Sequence, residues 1–216
     1  MRRTRPYHHG DLRETLLGAA IDLIAEVGPS GFTLREVARR AGVSHNAPYR
    51  HFRDKDALLA AVAAQGFREL TQAMQDAVAP RATALDRLRR VGSGYVSFAL
   101  RRPAHFAVMF DAPAPAALDP GLAEAAAQAF GTLVECIEAC QRDGALPAGD
   151  TLRRALVAWS LVHGIAKLGV AERLPFHSRA AVMAFATFAI DQSLPALAWG
   201  SGPDAGPGTE APSSDG

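Results

Sequence analysis

The chain has 216 residues, of which 49% are apolar and 21% charged, and its formal net charge is +1. These values are typical of a globular protein with a buried core, and two cysteines are too few for a disulfide framework. The composition therefore argues against a disulfide-stapled secreted domain and favours a reducing, cytoplasmic compartment.

Basic residues are concentrated at the amino-terminal end. Residues 1–55 contain ten Lys or Arg and six Asp or Glu, a net charge of +4, which leaves −3 for the rest of the chain. Residues 1–10 read as a basic arm, and an amphipathic pattern rather than an apolar block follows it, so we expect no secretory signal. This basic end is the candidate for contact with a polyanion.

Two helices with recognisable start signals follow the arm. Asp11 and Glu14 have the spacing of a capping box, which predicts a first helix from about 12 to 27. A Gly-Pro-Ser-Gly run at 28–31 ends it. Thr33 and Glu36 form a second predicted capping box, with Phe32 and Val37 as a hydrophobic staple, and this predicts a helix over 34–40.

A tight turn and a third helix come next. Gly42 is suited to the left-handed conformation that ends a helix, and Ser44 to capping the short helix predicted after it. That helix runs to Phe52 and contains Pro48 near its start, where the missing amide costs little. Asp54 caps the long helix that follows, so residues 11–56 are expected to form a helix-turn-helix unit.

Side chains suited to DNA lie along this unit. Thr33, Arg35, Tyr49 and Lys55 offer donors for phosphates, whereas His45, Asn46 and Arg50 are able to read base edges. Any helical domain has turns with polar surfaces, so spacing alone favours DNA binding without establishing it.

The rest of the chain has helical periodicity, with expected helices at 84–101, 104–110, 121–142, 151–172 and 178–198. No segment shows strand alternation with turn dipeptides. We predict an all-α fold whose residues 57–198 form a bundle of about five to six helices, followed by a disordered tail at 199–216. The stretch 155–171 comes nearest to a membrane span, but it is short and contains His163 and Lys167, so we expect no membrane partner.

The segments Thr33–Ser44 and Tyr49–Lys55, followed by Leu58 and Leu59, resemble the signature of the tetracycline-repressor family. This resemblance implies an all-α homodimer with amino-terminal DNA-binding domains and a carboxy-terminal bundle that binds a small-molecule effector. By position, Thr33 and Lys55 resemble the family's backbone-contacting helix ends and Tyr49 its phosphate-contacting aromatic residue. The predicted DNA-binding set is Thr33, Arg35, Ser44, His45, Asn46, Ala47, Tyr49, Arg50, His51 and Lys55.

The sequence departs from the commonest family pattern at Pro48, where an aliphatic residue is usual, so the recognition helix is expected to tilt or to start differently. The expected DNA partner is an operator with an inverted repeat. We expect a repressor controlled by its effector. An activator, or a regulator without a ligand, remains an alternative.

In the carboxy-terminal half, Trp159, His163 and Gly164 resemble the Trp-His-Gly motif of one subfamily of these repressors. The motif has two interpretations, a buried structural pair or direct ligand contact. The predicted ligand-binding set combines this pair with soft and aromatic side chains that are also typical of a core. It consists of Tyr95, Phe98, Phe106, Met109, Phe110, Phe130, Trp159 and His163.

Helix 151–172 is apolar on nearly all sides, so we expect a partner subunit to cover it together with helix 178–198. Cys136 and Cys140 lie on one helix face and are expected to be two small buried residues rather than a metal or redox site. No nucleophile-elbow, phosphate-loop or zinc motif occurs, so we expect no enzyme, cofactor or metal.

Overall fold

The computed structural model describes residues 9–111 and 120–198, so the predicted tail and most of the predicted arm lie outside the described residues. All regular secondary structure assigned within these ranges is helical, which confirms the all-α class. A 3-10 helix, Pro48–Arg50, interrupts the series of α-helices. These are α1 His9–Val27, α2 Leu34–Arg40, α3 Lys55–Asp76, α4 Ala84–Arg101, α5 Pro103–Asp111, α6 Pro120–Arg142, α7 Thr151–Val170 and α8 Arg179–Ala198.

The first helix begins three residues earlier than its capping box indicates. α1 starts at His9, so Asp11 lies inside the helix and the predicted cap at Asp11 is wrong. The first four amides of a helix have no acceptor within the helix. An added turn before them supplies carbonyl acceptors and breaks no existing hydrogen bond. Gly28 ends α1 as expected, with φ of +75°.

The second helix has the predicted signals at both ends. Thr33 caps α2 by accepting a hydrogen bond from the Glu36 amide, and the Glu36 carboxylate accepts one from the Thr33 amide at 2.7 Å. At the other end Gly42 adopts φ of +68°, and Val43 donates to the Ala38 carbonyl at 3.0 Å. This bond, together with that from Gly42 to Arg39, is a Schellman motif, so local chemistry defines α2 completely.

Two hydrophobic cores share the long helix α3. Its first half, Leu58 to Ala64, packs with α1 and α2 in the amino-terminal core. Its second half, with Leu70 and Met74, packs in the carboxy-terminal core with α4, α6, α7 and α8. The two cores therefore meet along α3.

The short helix α5 also contributes to both cores. Its Val108 is buried in the amino-terminal core, and its Phe106, 1% exposed, is buried in the carboxy-terminal core. Gly66 lets α5 approach α3, because a Cβ at this position would lie 2.6 Å from the Met109 sulfur. A shift of α5 therefore disturbs the packing of both cores.

The last two helices leave apolar side chains exposed. On α7, Leu152, Leu156, Val157 and Leu168 are between 43% and 56% exposed, and on α8 Phe188 is 59% exposed. Among the described residues, Arg179–Leu197 of α8 is the one stretch with the length and hydropathy to cross a membrane, and 28% of it is buried. The sequence pattern alone had instead favoured residues 155–171, most of which lie in α7.

Candidate functional site

The segment between α2 and α3 is tighter than the predicted third helix. Residues 45–47 form a turn, followed by the 3-10 helix Pro48–Arg50. The His51 and Phe52 amides both bond the Pro48 carbonyl at 2.9 Å. Pro48 has no amide with which to bond the Ser44 carbonyl, and this carbonyl instead accepts from Ala47, so an α-helix does not form before Pro48.

This recognition segment presents polar side chains to solvent. Ser44, His45, Asn46, Tyr49 and Arg50 are exposed, with Tyr49 at 52%. Next to the segment, Thr33 and Arg35 at the start of α2 are exposed, and His51 is half-buried.

Two details of the predicted interface need correction. Ala47 is only 8% exposed, so its methyl group faces the core and does not meet a base. Ser44 does not cap the segment, because Ala47 occupies the N-cap position and no side chain bonds there. Both differences follow from the tighter winding that Pro48 imposes, which rotates Ala47 inward.

Lys55 has a structural role that the sequence did not indicate. Its ammonium donates to the carbonyls of Ser30 at 3.0 Å and Phe32 at 2.8 Å, and it lies 4.4 Å from the centroid of the Phe32 ring. Burial lowers the pKa of this ammonium, although Asp56 and Glu36 favour its charge. Lys55 thus fastens the α1–α2 loop to the start of α3, and one of its three hydrogens remains for a phosphate.

The carboxy-terminal bundle contains a partly open apolar cavity of about 350 Å³. Most of its wall is aliphatic, from Leu88 and Val91 of α4 to Ile190 and Leu194 of α8. Gly92 also lies on this wall, where a Cβ would approach the Ile190 side chain to 3.0 Å. The volume is at the lower end of the range for small-molecule sites.

Half of the predicted ligand-binding set lines this cavity. Tyr95, Phe110, Phe130 and Trp159 are in its wall. Phe98, Phe106, Met109 and His163 are not in the wall, so their predicted direct contact with a ligand is not supported. Phe98 and Phe106 are at most 2% exposed and fill the core behind the wall, because their positions on α4 and α5 face neighbouring helices rather than the space between them.

A polar network lies at the aromatic side of the cavity. The Tyr95 hydroxyl accepts a hydrogen bond from the Trp159 indole at 3.3 Å and lies 2.8 Å from His163 Nδ1. Burial raises the pKa of the Tyr95 hydroxyl well above its ordinary value, so the phenol stays protonated. Burial, and then the Lys167 charge, lower the pKa of His163, which favours its neutral form. Trp159 and His163 therefore form one unit with Tyr95.

Behind this network an ion pair joins α7 to the end of α5. Lys167 donates to the Asp111 carboxylate and lies over the Phe106 ring at 5.5 Å. The Phe110 ring packs edge-on against His163, with centroids 4.6 Å apart, and also faces the cavity. α5 therefore contacts the cavity through Phe110 and the amino-terminal core through Val108.

A second buried polar cluster, which no pattern in the sequence indicated, lies between α3 and α5. His105 is 2% exposed, and its Nε2 has no hydrogen-bond partner and lies 4.0 Å from Glu69. Glu69 accepts from Gln65 at 3.0 Å and pairs with Arg102 at 3.2 Å. Burial lowers the pKa of His105, Glu69 opposes this, and Arg102 adds to it. A single His between apolar residues cannot be recognised in the sequence as part of such a cluster.

Cys136 and Cys140 are free and buried in the carboxy-terminal core. Burial raises the pKa of the Cys136 thiol to about 11 and also raises that of Cys140. Buried thiols with raised pKa values are poor nucleophiles and poor metal ligands. Within the described ranges, His, Cys, Asp and Glu side chains do not gather into any group of three or more able to hold a metal.

A helix-turn-helix with a polar outer face, joined through a shared helix to a bundle around an apolar cavity, defines a class of transcription regulators. Sequence comparison supports this class of protein for two segments of the chain. Residues 16–62 match the sequence profile of bacterial regulatory proteins of the tetR family, and residues 88–192 match that of the tetracyclin repressor-like C-terminal domain. The chain belongs to the tetracycline-repressor family, whose members are transcriptional regulators and not enzymes.

Relatives of known class resemble the amino-terminal part. A transcriptional repressor from Mycobacterium tuberculosis is 41% identical over 61 residues, which are 28% of this chain and 32% of that protein. The class A tetracycline repressor from Escherichia coli is 53% identical over 49 residues, 23% of each chain. The chain thus matches a third or less of the length of these relatives.

Solved structures extend the likeness to the whole fold. A Rhodococcus protein of unknown function superposes with a TM-score of 0.78 at 37% identity, covering 90% of this chain and 100% of that one. The regulator FadR from Bacillus subtilis, solved in complex with stearoyl-CoA, superposes with a TM-score of 0.71 at 17% identity, covering 84% of this chain and 96% of that one. The second likeness concerns the fold alone.

Proposed function

We propose that this protein is a homodimeric repressor in the cytoplasm that binds an inverted-repeat operator and releases it when an apolar effector enters the cavity. The observation that carries this proposal is α5, which lines the cavity with Phe110 and packs on the amino-terminal core with Val108. A molecule that displaces Phe110 therefore acts on the packing of the DNA-binding unit.

The exposed face of the recognition segment supports the DNA contact. Arg35 and Arg50 form no ion pair with any described residue, whereas Arg40 is held by Glu26 at 2.6 Å. A free guanidinium binds two acceptors of a guanine edge or of a phosphate at once. We propose His45, Asn46 and Arg50 as base-reading residues, with Tyr49, Arg35 and Lys55 on the phosphates.

The lining of the cavity supports an apolar effector. Its described wall contains no charged side chain, and burying a charge without a partner is costly. FadR, with the same fold, was solved with an acyl-CoA bound. We propose that Tyr95, Phe110, Phe130 and Trp159 contact the effector.

The exposed apolar face of α7 and α8 supports the dimer. A Cβ at Gly164 would meet nothing within 4 Å, so this part of α7 is open to a second subunit. In a dimer, the second subunit covers the exposed apolar side chains of α8, so that they need no membrane. Whether Trp159, His163 and Gly164 place the chain in the Trp-His-Gly subfamily stays a prediction.

The test is selection of binding sites from a random-sequence duplex pool, followed by anisotropy titrations of the selected duplex at several salt concentrations. We expect an inverted repeat with half-sites about one DNA turn apart. Arg50→Ala is expected to weaken binding to this site by about 1 to 3 kcal/mol and binding to scrambled DNA little.

The matched control is Arg53→Ala. Arg53 is 73% exposed and bonds Asp54 at 2.8 Å, so its removal takes away a nearby charge but no proposed base contact. Equal losses for the two variants on specific and scrambled DNA would reject the proposed base reading. Selection of a single unrepeated half-site would reject the dimeric operator.

A further inference from the structure

The polar atoms in the cavity wall are few and differ in their availability. Within the described lining, polar side-chain atoms belong to Tyr95, Trp159 and Ser193. The Ser193 hydroxyl donates to the Ile190 carbonyl of its own helix at 2.7 Å. The Trp159 indole donates to Tyr95 at 3.3 Å. The hydrogens of Ser193 and Trp159 are therefore both used within the protein, so the wall offers a ligand hydrogen-bond acceptors, and Tyr95 carries the acceptor that also belongs to a side-chain network.

The direction of the hydrogen bond between Tyr95 and His163 decides whether the Tyr95 hydroxyl presents a hydrogen or a lone pair to a ligand. If the phenol donates to His163 Nδ1, the Trp159 indole and the Tyr95 hydroxyl each have an acceptor, and the neutral imidazole carries its own hydrogen on Nε2. If His163 donated instead, the phenol proton would point without a partner into an apolar cavity. Buried unpaired donors are rarer and costlier than acceptors with a spare lone pair. The phenol is also the stronger hydrogen-bond acid, so it donates to the imidazole.

The Tyr95 oxygen then receives one hydrogen from Trp159 and gives its own to His163. One lone pair remains, and it belongs to an oxygen in the cavity wall. From this geometry we infer that the cavity selects an uncharged, mostly apolar molecule with a hydroxyl group, whose hydrogen is donated to Tyr95. This inference rests on the proposed function, in which the cavity holds the effector, and it names the chemical class of that effector.

Size and charge restrict the class further. A volume of 350 Å³ holds roughly a dozen non-hydrogen atoms, taking about 30 Å³ for each. A carboxylate would bring a charge against a wall whose described residues are uncharged, and a ketone would set its oxygen against the lone pair of Tyr95. A medium-chain alcohol fits on all three criteria, whereas the matching ketone lacks the hydrogen, and the matching carboxylate both lacks the hydrogen and carries a charge.

The experiment is isothermal titration of the purified full chain, without DNA, with 1-undecanol, 2-undecanone and undecanoate. The alcohol and the ketone have the same number of non-hydrogen atoms, so the comparison isolates the donated hydrogen. We expect the alcohol to bind about threefold to tenfold more tightly than the ketone, the net value of one hydrogen bond, and undecanoate to bind more weakly than both. Equal or tighter binding of the ketone or the acid would overturn the inference.

Two variants test the two partners of the Tyr95–His163 bond, and a third is the control. Tyr95→Phe should remove the preference for the alcohol, whereas the control Thr132→Val, which removes a hydroxyl outside the cavity wall, should keep it. His163→Phe frees the phenol proton for the cavity, so the ketone should bind about threefold to tenfold more tightly than it does to the wild type. A merely structural role of His163 predicts weaker binding of both probes in this variant.

The result does not depend on the DNA titrations. Absence of binding by all three probes to the folded wild-type protein would overturn the ligand class, even if the protein binds its operator. Failure to bind any operator, with the alcohol still preferred, would reject the proposed function and retain the ligand class.

Discussion

Gly94 tests whether α3 and α4 are packed as closely as the structure shows. A Cβ at this position would lie 2.8 Å from the Ala73 carbonyl oxygen and 3.0 Å from Met74 Cα. Both are backbone atoms of α3, which cannot rotate away as the end of a side chain can. In Gly94→Ala the two helices must therefore separate by about half an ångström or more, since non-bonded heavy atoms prefer roughly 3.5 Å or more.

The expected cost is the difference of two effects. Overpacking of a tight core costs about 1 to 3 kcal/mol, and replacing a glycine inside a helix by alanine returns up to about 1 kcal/mol. We therefore expect Gly94→Ala to lower the free energy of unfolding by about 0.5 to 2 kcal/mol. Urea denaturation at one fixed protein concentration measures this change, because the concentration also sets the amount of dimer.

Gly131→Ala is the matched control. Gly131 lies inside α6, and a Cβ there would meet nothing within 4 Å, so this variant should gain the helix propensity without the clash. We expect it to be more stable than the wild type by about 0.5 to 1 kcal/mol. If Gly94→Ala unfolds at the same urea concentration as Gly131→Ala, the close approach of α3 and α4 is wrong.

Three further predictions concern the loop, the buried histidine and the proposed interface. Lys55→Met should lower the free energy of unfolding by about 1 to 2 kcal/mol even without DNA, because its bonds to the α1–α2 loop are lost; unchanged urea denaturation would leave Lys55 with a DNA role only. The native pKa of His105 is lowered, so the unfolded chain binds its proton more readily and stability should fall as pH drops below about 6.5. In His105→Gln this loss should be smaller, and equal slopes in urea titrations at several pH values would contradict the assignment. Val157→Asp should shift sedimentation toward the monomer, whereas the exposed Ala127→Asp on α6 should not; a Val157 variant that sediments like the wild type would exclude α7 from the interface.

The sequence predicted the helices well where their signals are local. α2 and α4 have the predicted bounds, because a cap, a periodic apolar face and a terminating residue lie within each segment. The turn at Gly42 was predicted for the same reason. The residues proposed to face DNA lie close together in the sequence, and most of them are exposed.

Prediction failed where two local preferences compete. Pro48 was expected to be tolerated at the start of an α-helix, yet its missing amide leaves a turn and a 3-10 helix instead. This rotates Ala47 into the core, although it falls among residues predicted to face bases. The role of Lys55 was missed because its two carbonyl partners lie more than 20 residues earlier in the chain.

The sequence by itself determined the helical class, the caps and turns of the DNA-binding unit and the family to which the chain belongs, because these depend on neighbouring residues. Only the tertiary structure decided which aromatic side chains line the cavity. Tyr95 and Phe98 lie three positions apart on α4, and both are almost completely buried, yet only Tyr95 is in the cavity wall. A buried helix is apolar on more than one side, so periodicity predicts burial, while the packing of five other helices determines which side faces open space.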